Sequence, residues 1–463
     1  MLNNSEYRLN RLSNYPAKNN TSDKDFLIIS FNEGSKDYTK SNLDEIMSNI
    51  SGKNPKIIFV CTQESKSGSK THFQHVFEER LYAENQSYKR LYKVDGSKTS
   101  IIGDKNCRTR IYYDSSSIEN NMVYVTPRFF GEPSINGKYS KKTLNNLTEN
   151  EYYKNNGGSS TNRYQITSFG KYISKTSGLS SARNGTLFKA SIFTRVELKD
   201  KNGEPYKFIV INSHLFFQPP KLGDTGLQKR SLEFLSLINE LKLAKLFEQG
   251  YNIFFCGDLN FRLSVSKYAL NKIPIPQQYI LEQASRNGGF IEILNEKFNI
   301  KNELNYLLNV ATLNNQRQIE SNTILNQLVR NKIISQYSTN FELFKHFKHN
   351  LKLLGLPLTC RLVEKRYEQG KENKYHCSSN NSKEGEFSCT KKNKITKKIT
   401  PRIPSNCDKI LFALNNLLVD RKDFIIPQFP DESDHKLISL YGTFYDNPKP
   451  NHNSNHLYNV PLN

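Results

Sequence analysis

Four short runs of β-branched and aromatic residues recur along the chain, separated by more polar segments. They occupy residues 26–31 (FLIISF), 56–61 (KIIFVC), 207–215 (KFIVINSHL) and 251–260 (YNIFFCGDLN). Runs of this length and composition predict buried β-strands. Each run leads into polar residues, as strands do when they deliver side chains to a site at the edge of a sheet.

Helical periodicity fills parts of the chain between these strands. Residues 43–50 form a short helical pattern, and residues 227–247 form a clearer one with leucine and isoleucine along one side. Gly250 follows the longer pattern as a stop signal, and residues 276–356 are also predicted to be mostly helical. Strands interleaved with helices predict a layered α/β domain, with sheets at the centre and helices outside.

Stretches that are poor in apolar residues interrupt this pattern. Residues 132–185 are rich in Asn, Ser, Gly and Lys, and residues 368–400 in Lys, Asn and Ser, so both are predicted to be exposed or disordered insertions. Residues 1–24 are predicted to form a flexible N-terminal arm, and residues 446–463 a polar C-terminal tail. One catalytic domain over residues 25–445, carrying both insertions, accounts for this organisation.

The composition constrains the core and the partners. Hydrophobic residues make up 36% of the 463 residues, and aromatic residues make up 11% with no tryptophan, so phenylalanine and tyrosine must supply much of the core. The formal net charge of +22 attracts polyanions such as nucleic acid, anionic membrane or phosphorylated small molecules. The lysine- and asparagine-rich composition of the whole chain explains this charge equally well, so charge alone does not identify the partner.

The seven cysteines are scattered along the chain and odd in number. This pattern argues against a disulfide framework and favours a reducing compartment. Cys377 and Cys389 lie near His376 but form no C-x-x-C pair, so a structural zinc site is not expected. The N-terminus lacks the apolar core of a signal peptide, and no apolar run approaches the roughly 20 residues that span a bilayer. We therefore expect a cytoplasmic protein.

Polar residues follow the predicted strands in a consistent way. Asn32 ends the first run, Glu64 follows the second, His214 lies at the end of the third, and Asp258 and Asn260 end the fourth. Carboxylate and amide oxygens suit a hard cation such as Mg²⁺, and His and Asp add proton-handling and charge-stabilising groups. Taken singly, each motif has an ordinary structural explanation, such as a turn at Gly-Asp-x-Asn or a helix cap at Ser-Asp-His. Their order along one chain is what indicates a functional site.

That order resembles the endonuclease/exonuclease/phosphatase superfamily, and the detailed residues resemble its inositol polyphosphate 5-phosphatase family. The matching segments are FVCTQES (59–65), INSHL (211–215), FFCGDLNFRL (254–263), PLTCRL (357–362), PRIPSNCDKILF (401–412) and SDHKLIS (433–439). Gly-Asp-x-Asn and Ser-Asp-His are shared across the superfamily, whereas Pro-x-Thr-x-Arg and Arg-x-Pro-x-x-Cys-Asp are more specific to the phosphatase branch. The resemblance spans roughly residues 25–445. It implies a four-layer α/β sandwich in which helices flank two central mixed β-sheets.

The resemblance also implies a metal site and an activated water. Glu64 is implied to be the main Mg²⁺ ligand, and Asn32 and Asp434 are further candidate ligands. Asp258 is implied to orient or deprotonate the attacking water, with Asn260 holding the water or the metal. Phosphoryl transfer depends on a metal, an in-line water and donors to the equatorial oxygens more than on covalent chemistry by the protein.

Two histidines and four basic residues complete the implied site. His214 is implied to stabilise the phosphoryl oxygens, and His435 to be a second catalytic histidine oriented by Asp408, because an Asp–His pair fixes the imidazole tautomer. The candidate substrate ligands are Arg262, Arg361, Arg402 and Lys409. In the family, the counterparts of Arg361 and Arg402 bind the 4-phosphate beside the reacting 5-phosphate. Arg361 stands where the family has Lys, which keeps the charge and adds a fork suited to phosphate.

Four departures from the family pattern put substrate choice, rather than the chemistry, in question: the Gly-rich segment before the third strand is at best ARNGTLFK (182–189), and three single residues differ. Cys360 replaces an aromatic residue, Asn406 replaces a tryptophan, and Lys409 replaces an arginine. None of the three is implied to act on the metal or the water. The reaction class therefore follows from the resemblance more directly than the identity of the substrate does.

These observations predict a Mg²⁺-dependent phosphatase that removes the 5-phosphate of an inositol polyphosphate or phosphoinositide, for example phosphatidylinositol 4,5-bisphosphate. We expect a monomer that contacts anionic membranes peripherally, and we do not expect nucleic acid as a partner. The alternatives are a nuclease of the same superfamily, which the net charge also suits, and a catalytically decayed basic membrane-binding protein. The phosphatase-specific motifs argue against the nuclease, and the intact metal and base residues argue against decay.

Overall fold

The computed structural model describes the residues that build the core of the molecule. They are residues 24–34, 36–65, 71–95, 106–119, 123–124, 164–175, 190–200, 205–215, 230–231, 234–235, 237–238, 241–264, 301–312, 341–354, 359–360, 365–368, 371–375, 390–392, 399–401, 406–427, 433 and 435–444. Apart from residue 24, the predicted arm over residues 1–24 lies outside these ranges, as does the predicted tail over residues 446–463.

Short strands and a smaller number of helices make up these ranges. In chain order, the strands are β1 (Phe26–Asn32), β2 (Ile57–Ser65), β3 (Tyr88–Asp95), β4 (Asn106–Asp114), β5 (Ile118–Glu119), β6 (Val123–Tyr124), β7 (Tyr164–Lys175), β8 (Ala190–Asp200), β9 (Pro205–His214), β10 (Tyr251–Asp258), β11 (Leu263–Ser264), β12 (Lys301–Asn302), β13 (Lys365–Glu368), β14 (Lys371–Tyr375), β15 (Thr390–Lys392), β16 (Ile399–Pro401), β17 (Asp408–Ala413), β18 (Leu417–Leu418), β19 (Phe424–Ile425) and β20 (Ile438–Phe444). The α-helices are α1 (Asp44–Lys53), α2 (Phe73–Glu84), α3 (Leu243–Glu248), α4 (Glu303–Ala311) and α5 (Phe341–Leu354), and 3₁₀ turns cover Lys40–Leu43 and Arg421–Asp423.

Two seven-stranded mixed sheets lie at the centre of the molecule. The first has the order β18-β20-β1-β2-β4-β3 with β19 also paired to β20, and the second has the order β17-β10-β9-β8-β7-β5 with β6 paired to β7. Each sheet contains a central parallel pair, β1–β2 in the first and β9–β10 in the second. An antiparallel strand from the C-terminal part of the chain flanks each pair, β20 beside β1 and β17 beside β10. The two sheets are therefore built on the same local plan.

Buried side chains fill three layers on and between the sheets. Successive residues of β1 point to opposite faces, so Phe26 and Ile28 enter the layer between the sheets while Leu27 and Ile29 pack against α1 and α2. Strand β10 alternates in the same way between the inter-sheet layer and a layer with α4 and α5. The order helix, sheet, sheet, helix follows directly from this alternation.

Phenylalanine dominates the layer between the sheets. The ring of Phe26 lies 5.3 Å from that of Phe254 and 5.8 Å from that of Phe208, measured between centroids. All three side chains are fully buried, and complete burial of one such side chain stabilises a fold by roughly 1.5–3 kcal/mol. The expectation that phenylalanine supplies much of the core is confirmed for this layer.

The predicted fold class is confirmed, since helices flank two central mixed sheets in a four-layer α/β sandwich. The four predicted strands correspond to β1, β2, β9 and β10, and the predicted helix over residues 43–50 corresponds to α1. The pattern over residues 227–247 leads into α3, and Gly250 follows it with a φ of 85°. Within residues 276–356, the described residues are helical in α4 and α5. Across the described ranges, no helix is both long enough and apolar enough to cross a membrane.

The structure differs from the prediction within the two polar insertions. The segment 132–185 contains β7, which pairs antiparallel with β8, and the segment 368–400 contains β14, β15 and part of β16 in short hairpins. An exposed loop was the wrong prediction for these strands; the rest of both segments lies outside the described residues. A β-bulge between Ile166 and Ser168 breaks the alternation of β7, so its sequence lacks a regular strand period.

Candidate functional site

One edge of the sandwich collects polar side chains from segments that are far apart in the sequence. Because β1 runs parallel to β2 and β9 parallel to β10, the carboxyl ends of each pair lie at a common edge. There β1 ends at Asn32 and β10 ends at Asp258. The antiparallel strands start at the same edge, since Asp408 opens β17 directly opposite Asp258 and His435 lies shortly before β20.

Asp258 lies at the seam between the two sheets. Its Oδ2 accepts a hydrogen bond of 2.9 Å from Asn32 Nδ2, and its Oδ1 accepts one of 3.1 Å from the backbone N–H of Asn260. The Oδ1 of Asn32 accepts from the backbone N–H of Gly34 at 3.1 Å, so the amide group is held with its Nδ2 toward Asp258. Both oxygens of Asp258 therefore have fixed directions.

The glycine before Asp258 allows β10 to reach this position. Gly257 has a φ of 127°, and a Cβ at this position would overlap the carbonyl oxygen of Ser213 on β9. Only glycine accommodates both the backbone angle and this close approach. The Gly-Asp pair of the motif thus has a structural cause as well as a chemical one.

His214 connects two carboxylates at the seam. Its Nε2 lies 3.3 Å from Asp258 Oδ2 and 3.7 Å from Glu64 Oε1. The side chain of His214 is only 1% exposed, whereas that of Glu64 is 23% exposed. Glu64 is therefore the member of this group that faces solvent.

A β-bulge at the end of β2 directs Glu64 toward this group. β2 pairs with β4 as far as Thr62 and again at Ser65, and between these pairs Gln63 and Glu64 face the single residue Cys107. Glu64 has a φ of 51°, a left-handed conformation that costs a non-glycine residue roughly 1–2 kcal/mol. Bulges of this kind re-aim side chains at sheet ends, and residues held in unfavourable backbone regions cluster at functional sites.

Asp408 and His435 form a second pair beside Asp258. His435 Nδ1 lies 2.8 Å from Asp408 Oδ2, and the backbone N–H of Asp408 donates to Thr359 Oγ1 at 3.0 Å. Burial raises the pKa of Asp408, and the neighbouring Asp258 carboxylate raises it further, while His435 acts in the opposite direction. On its other side, His435 Nε2 lies 3.6 Å from Cys360 Sγ. Because Asp408 holds Nδ1 of His435, the other ring nitrogen, Nε2, points away from the carboxylate.

The donors at this edge fit a divalent cation. One ligand atom from each of Asp258, Asp408 and His435 lies within 4.8 Å of the others. The Oδ1 of Asp408 is buried and accepts no hydrogen bond from the described residues, so a cation or its hydration shell would satisfy it. Asn32, predicted as a metal ligand, has its amide directed to Asp258 and Gly34. In this arrangement Asn32 orients Asp258.

Asn260 and Arg262 turn inward behind Asp258. Asn260 has a φ of 54° and donates from Nδ2 to the carbonyl of Leu215 at 3.0 Å. Arg262 Nη2 donates to Asn260 Oδ1 at 3.2 Å, and the backbone N–H of Arg262 donates to Glu303 Oε2 at 2.8 Å. Arg262, predicted to contact substrate, therefore braces Asn260.

Lys409 also differs from its predicted role as a substrate ligand. Its Nζ donates to the backbone carbonyls of Phe261, at 3.3 Å, and Asn406. Burial lowers the pKa of Lys409 to about 8, although the neighbouring thiol of Cys407 and carboxylate of Asp408 shift it in the opposite direction. An ammonium that is buried and bonded to two carbonyls anchors the turn before β17 and does not reach outward. The other predicted ligands Arg361, Arg402 and Asp434 lie outside the described residues.

The structure gives roles to polar residues at the strand ends to which the sequence analysis assigned none. Gln63 Nε2 donates to Asn212 Oδ1 at 2.7 Å, and Asn212 Nδ2 donates to the carbonyl of Arg108 at 2.8 Å, so amides tie the two sheets together beneath the site. Ser433 Oγ donates to the carbonyl of Asn32 at 2.7 Å. Glu33 is fully buried. Burial raises the pKa of its carboxyl, and this effect is larger than that of the hydrogen bonds that lower the pKa. Its position directly after the polar end of β1 was the signal in the sequence.

Several solved structures align with this chain, all at low similarity. The catalytic domain of human Nocturnin aligns over 91% of this chain and 94% of its own, with 11% identity and a TM-score of 0.33. An endonuclease/exonuclease/phosphatase family protein from Bacteroides thetaiotaomicron aligns over 91% of this chain and 98% of its own, with 10% identity and a TM-score of 0.31. An endonuclease/exonuclease/phosphatase from Beutenbergia cavernae aligns over 91% and 72%, with 10% identity and a TM-score of 0.34. No protein-family model and no curated protein matches the chain. At this similarity no activity carries over, so the function has to be inferred from the residues of this chain.

Proposed function

We propose that this chain is a Mg²⁺-dependent phosphoester hydrolase that removes the 5-phosphate from inositol polyphosphates or phosphoinositides. The observation that carries the proposal is the cluster in which His214 Nε2 lies within 3.7 Å of both Glu64 and Asp258, beside the Asp408–His435 pair. Carboxylates and histidines from separate strands meet there at an edge of both sheets. Such a group suits metal-assisted attack of water on a phosphate ester.

The oxygen donors decide which metal the cluster suits. Glu64, Asp258 and Asp408 offer carboxylates, and hard oxygen ligands favour Mg²⁺ over softer cations. We assign Glu64 as the main residue to hold it, because the family resemblance implies that role and its side chain, at 23% exposed, is open to solvent; Asp408 Oδ1, which accepts no hydrogen bond from the described residues, would face the same cation. When bound, Mg²⁺ would offset the charge of the phosphoryl oxygens and make a water molecule easier to deprotonate.

The protein residues divide the remaining work. Asp258 accepts the proton of the attacking water, and Asn32 and the backbone of Asn260 hold its carboxylate in place for that transfer. Phosphoryl oxygens that gain charge are stabilised by donors already oriented toward them, which is the role we assign to His214 Nε2. His435, held at Nδ1 by Asp408, presents its Nε2 to the ester as a further donor.

The choice of inositol phosphates rests on the sequence. The segments PLTCRL (357–362) and PRIPSNCDKILF (401–412) resemble those of inositol polyphosphate 5-phosphatases. Since Arg262 and Lys409 are engaged inside the protein, we assign recognition of a second phosphate to Arg361 and Arg402. The net charge of +22 favours a polyanionic substrate, and we expect the protein to act as a cytoplasmic monomer at anionic membrane surfaces.

Phosphate release from a panel of substrates tests the proposal. The full chain would be assayed with Mg²⁺ on inositol 1,4,5-trisphosphate, on vesicles containing phosphatidylinositol 4,5-bisphosphate, and on single- and double-stranded oligonucleotides. We expect release from the inositol substrates and its loss in Asp258→Asn. The matched control is Asp114→Asn, which makes the same change in a buried aspartate at the far end of β4.

The nuclease alternative keeps one observation in its favour, the positive net charge, which suits a nucleic-acid backbone. It predicts cleavage of oligonucleotides that Asp258→Asn abolishes, with no phosphate release from the inositol substrates. That result would replace the proposed substrate class while keeping the site. Activity that survives Asp258→Asn on every substrate would show that this edge of the sandwich is not the active site.

A further inference from the structure

Glu33 lies directly after Asn32 and is an acidic side chain with no exposure to solvent. Its Oε1 accepts a hydrogen bond of 2.5 Å from Ser65 Oγ, and its Oε2 accepts one of 3.2 Å from the backbone N–H of Phe73. Burying a carboxylate is costly unless it is hydrogen-bonded. The two donors explain how the fold tolerates Glu33, but they do not explain why an acidic residue is placed there.

The contacts of Glu33 fall on both sides of Glu64. The backbone N–H of Glu33 donates to the carbonyl of Gln63 at 2.8 Å, and its carboxylate holds Ser65. Ser65 Oγ also lies 2.7 Å from Thr62 Oγ1, so the hydroxyl held by the carboxylate connects the two ends of the β2 bulge. Glu64 itself has the left-handed φ of 51°, and such a conformation persists only when its surroundings hold it.

A third connection joins the same carboxylate to a helix. Phe73 is the first residue of α2, and the N-terminus of a helix favours a negative charge. Glu33 thereby links the end of β1, the bulge of β2 and the start of α2. Because protein donors occupy both of its oxygens and it is fully buried, Glu33 is not available to bind a metal or a substrate.

We infer that Glu33 is a positioning residue, which holds the β2 bulge so that Glu64 points at the metal site. The inference rests on the proposed function in one respect, the assignment of Glu64 as a metal ligand. A carboxylate accepts at both of its oxygens, from the Ser65 hydroxyl and from the backbone N–H of Phe73, whereas the amide of a glutamine keeps only one acceptor oxygen for the two. Partners that orient a metal ligand typically change metal affinity by about 10–100-fold when they are replaced.

Two variants test this role without changing Glu64. Glu33→Gln keeps the size of the side chain and removes one acceptor, and Ser65→Ala leaves Glu33 intact but removes the hydrogen bond between its carboxylate and the bulge. Asp114→Asn, which changes a buried aspartate at the carboxyl end of β4, far from the bulge, is the matched control. Each purified full-length variant is titrated with Mn²⁺, by calorimetry and by the electron paramagnetic resonance signal of free Mn²⁺, after circular dichroism has verified its fold.

We expect Glu33→Gln and Ser65→Ala to weaken Mn²⁺ binding by about tenfold. The Mg²⁺ concentration for half-maximal activity should rise by a similar factor, while kcat at saturating Mg²⁺ recovers to within about twofold of wild type, since the ligands themselves are unchanged. A residue that served stability alone would lower the unfolding midpoint and leave the Mn²⁺ affinity unchanged, as we expect for Asp114→Asn.

The outcomes separate this inference from the function it rests on. If Glu33→Gln and Ser65→Ala both fold and bind Mn²⁺ as tightly as the wild type does, the positioning role of Glu33 is wrong and the proposed function stands. If Glu33→Gln does not fold, Ser65→Ala decides in the same way. If the wild type itself binds no Mn²⁺ in either measurement, the metal site and the inference are both wrong.

Discussion

Asn32 at the end of β1 and Asp258 at the end of β10 are joined by a hydrogen bond of 2.9 Å that crosses from one sheet to the other. The two residues are far apart in the sequence and belong to separate sheets, so this bond exists only when the sandwich is assembled. Since the amide also accepts from the backbone N–H of Gly34, its direction is set by the end of β1 and the turn that follows it. The orientation of Asp258 therefore depends on a residue of the opposite sheet.

Removing this amide should impair catalysis more than folding. Hydrogen bonds to charged groups contribute roughly 1.5–3 kcal/mol, and loss of that energy from the transition state corresponds to about a 10–150-fold lower kcat/KM. We expect this loss for Asn32→Ala, measured as phosphate release at saturating Mg²⁺. Asn252→Ala, which removes a buried amide at the amino end of β10, should lower the unfolding midpoint without a comparable loss. Equal activity of Asn32→Ala and wild type would mean that Asp258 needs no partner from β1.

The Asp408–His435 pair makes a prediction about the proton on the imidazole. Asp408 Oδ2 lies 2.8 Å from His435 Nδ1, so the carboxylate accepts a hydrogen bond from the Nδ1–H and stabilises the charged form of the ring. Asp408→Asn would offer an N–H in place of an acceptor and should lower kcat by about 10²–10⁴-fold, the usual contribution of a placed acid–base group. Its control is Asp423→Asn, since Asp423 is buried and bonded to Lys24 before the start of β1. A loss of less than fivefold in Asp408→Asn would remove His435 from the mechanism.

Much of the fold could be predicted because its core strands carry their signal locally. The runs that became β1, β2, β9 and β10 are short, apolar and β-branched, and a polar residue at the end of such a run belongs to an edge whatever the partner strand is. The motifs then indicated which polar residues belong together. The local sequence pattern was sufficient to predict a residue's position wherever that position depended only on its own strand.

Features that depend on contacts between segments could not be predicted in this way. The left-handed φ of Glu64 arises from a bulge opposite Cys107 of β4, and nothing within FVCTQES specifies that pairing. Lys409 looked like an outward phosphate ligand, yet it is buried against the carbonyls of Phe261 and Asn406. Glu33 gains its donors from β2 and α2. In each case tertiary packing decides the role.

His346 predicts a loss of stability in mild acid. It lies on α5 with its ring 4.9 Å from that of Phe247, and burial lowers its pKa to about 4, with Glu342 opposing this shift and His349 and Lys345 adding to it. Because the unfolded histidine binds a proton below about pH 6.5 and the folded one does not until about pH 4, its contribution is present above pH 6.5 and lost as the pH falls toward 4.

A substitution isolates this contribution from the other titrating groups. His346→Gln cannot titrate, so the unfolding free energy of the wild type relative to the variant should fall by about 3 kcal/mol between pH 7 and pH 4. Urea unfolding followed by circular dichroism at both pH values measures it. A difference that stays constant with pH would show that His346 keeps an ordinary pKa in the folded protein.

The last prediction concerns substrate choice. Arg361 directly follows Cys360, whose Sγ lies 3.6 Å from His435 Nε2, so the middle of the PLTCRL motif lies beside the proposed catalytic histidine. A guanidinium fork that grips the 4-phosphate forms charge-assisted hydrogen bonds to the non-reacting part of the substrate and orients the reacting part. Arg361→Ala should therefore lower kcat/KM on inositol 1,4,5-trisphosphate by about tenfold more than on an inositol phosphate that lacks the 4-phosphate.

Arg421→Ala removes one charge from an exposed turn, and any effect of it should be equal on both substrates and fade with salt, because long-range attraction is screened. Assaying both variants on both substrates at two salt concentrations separates specific contact from general charge. Equal losses of kcat/KM for Arg361→Ala on the two substrates would show that Arg361 does not recognise the 4-phosphate. The proposal would then be reduced to a hydrolase that acts on any accessible phosphomonoester.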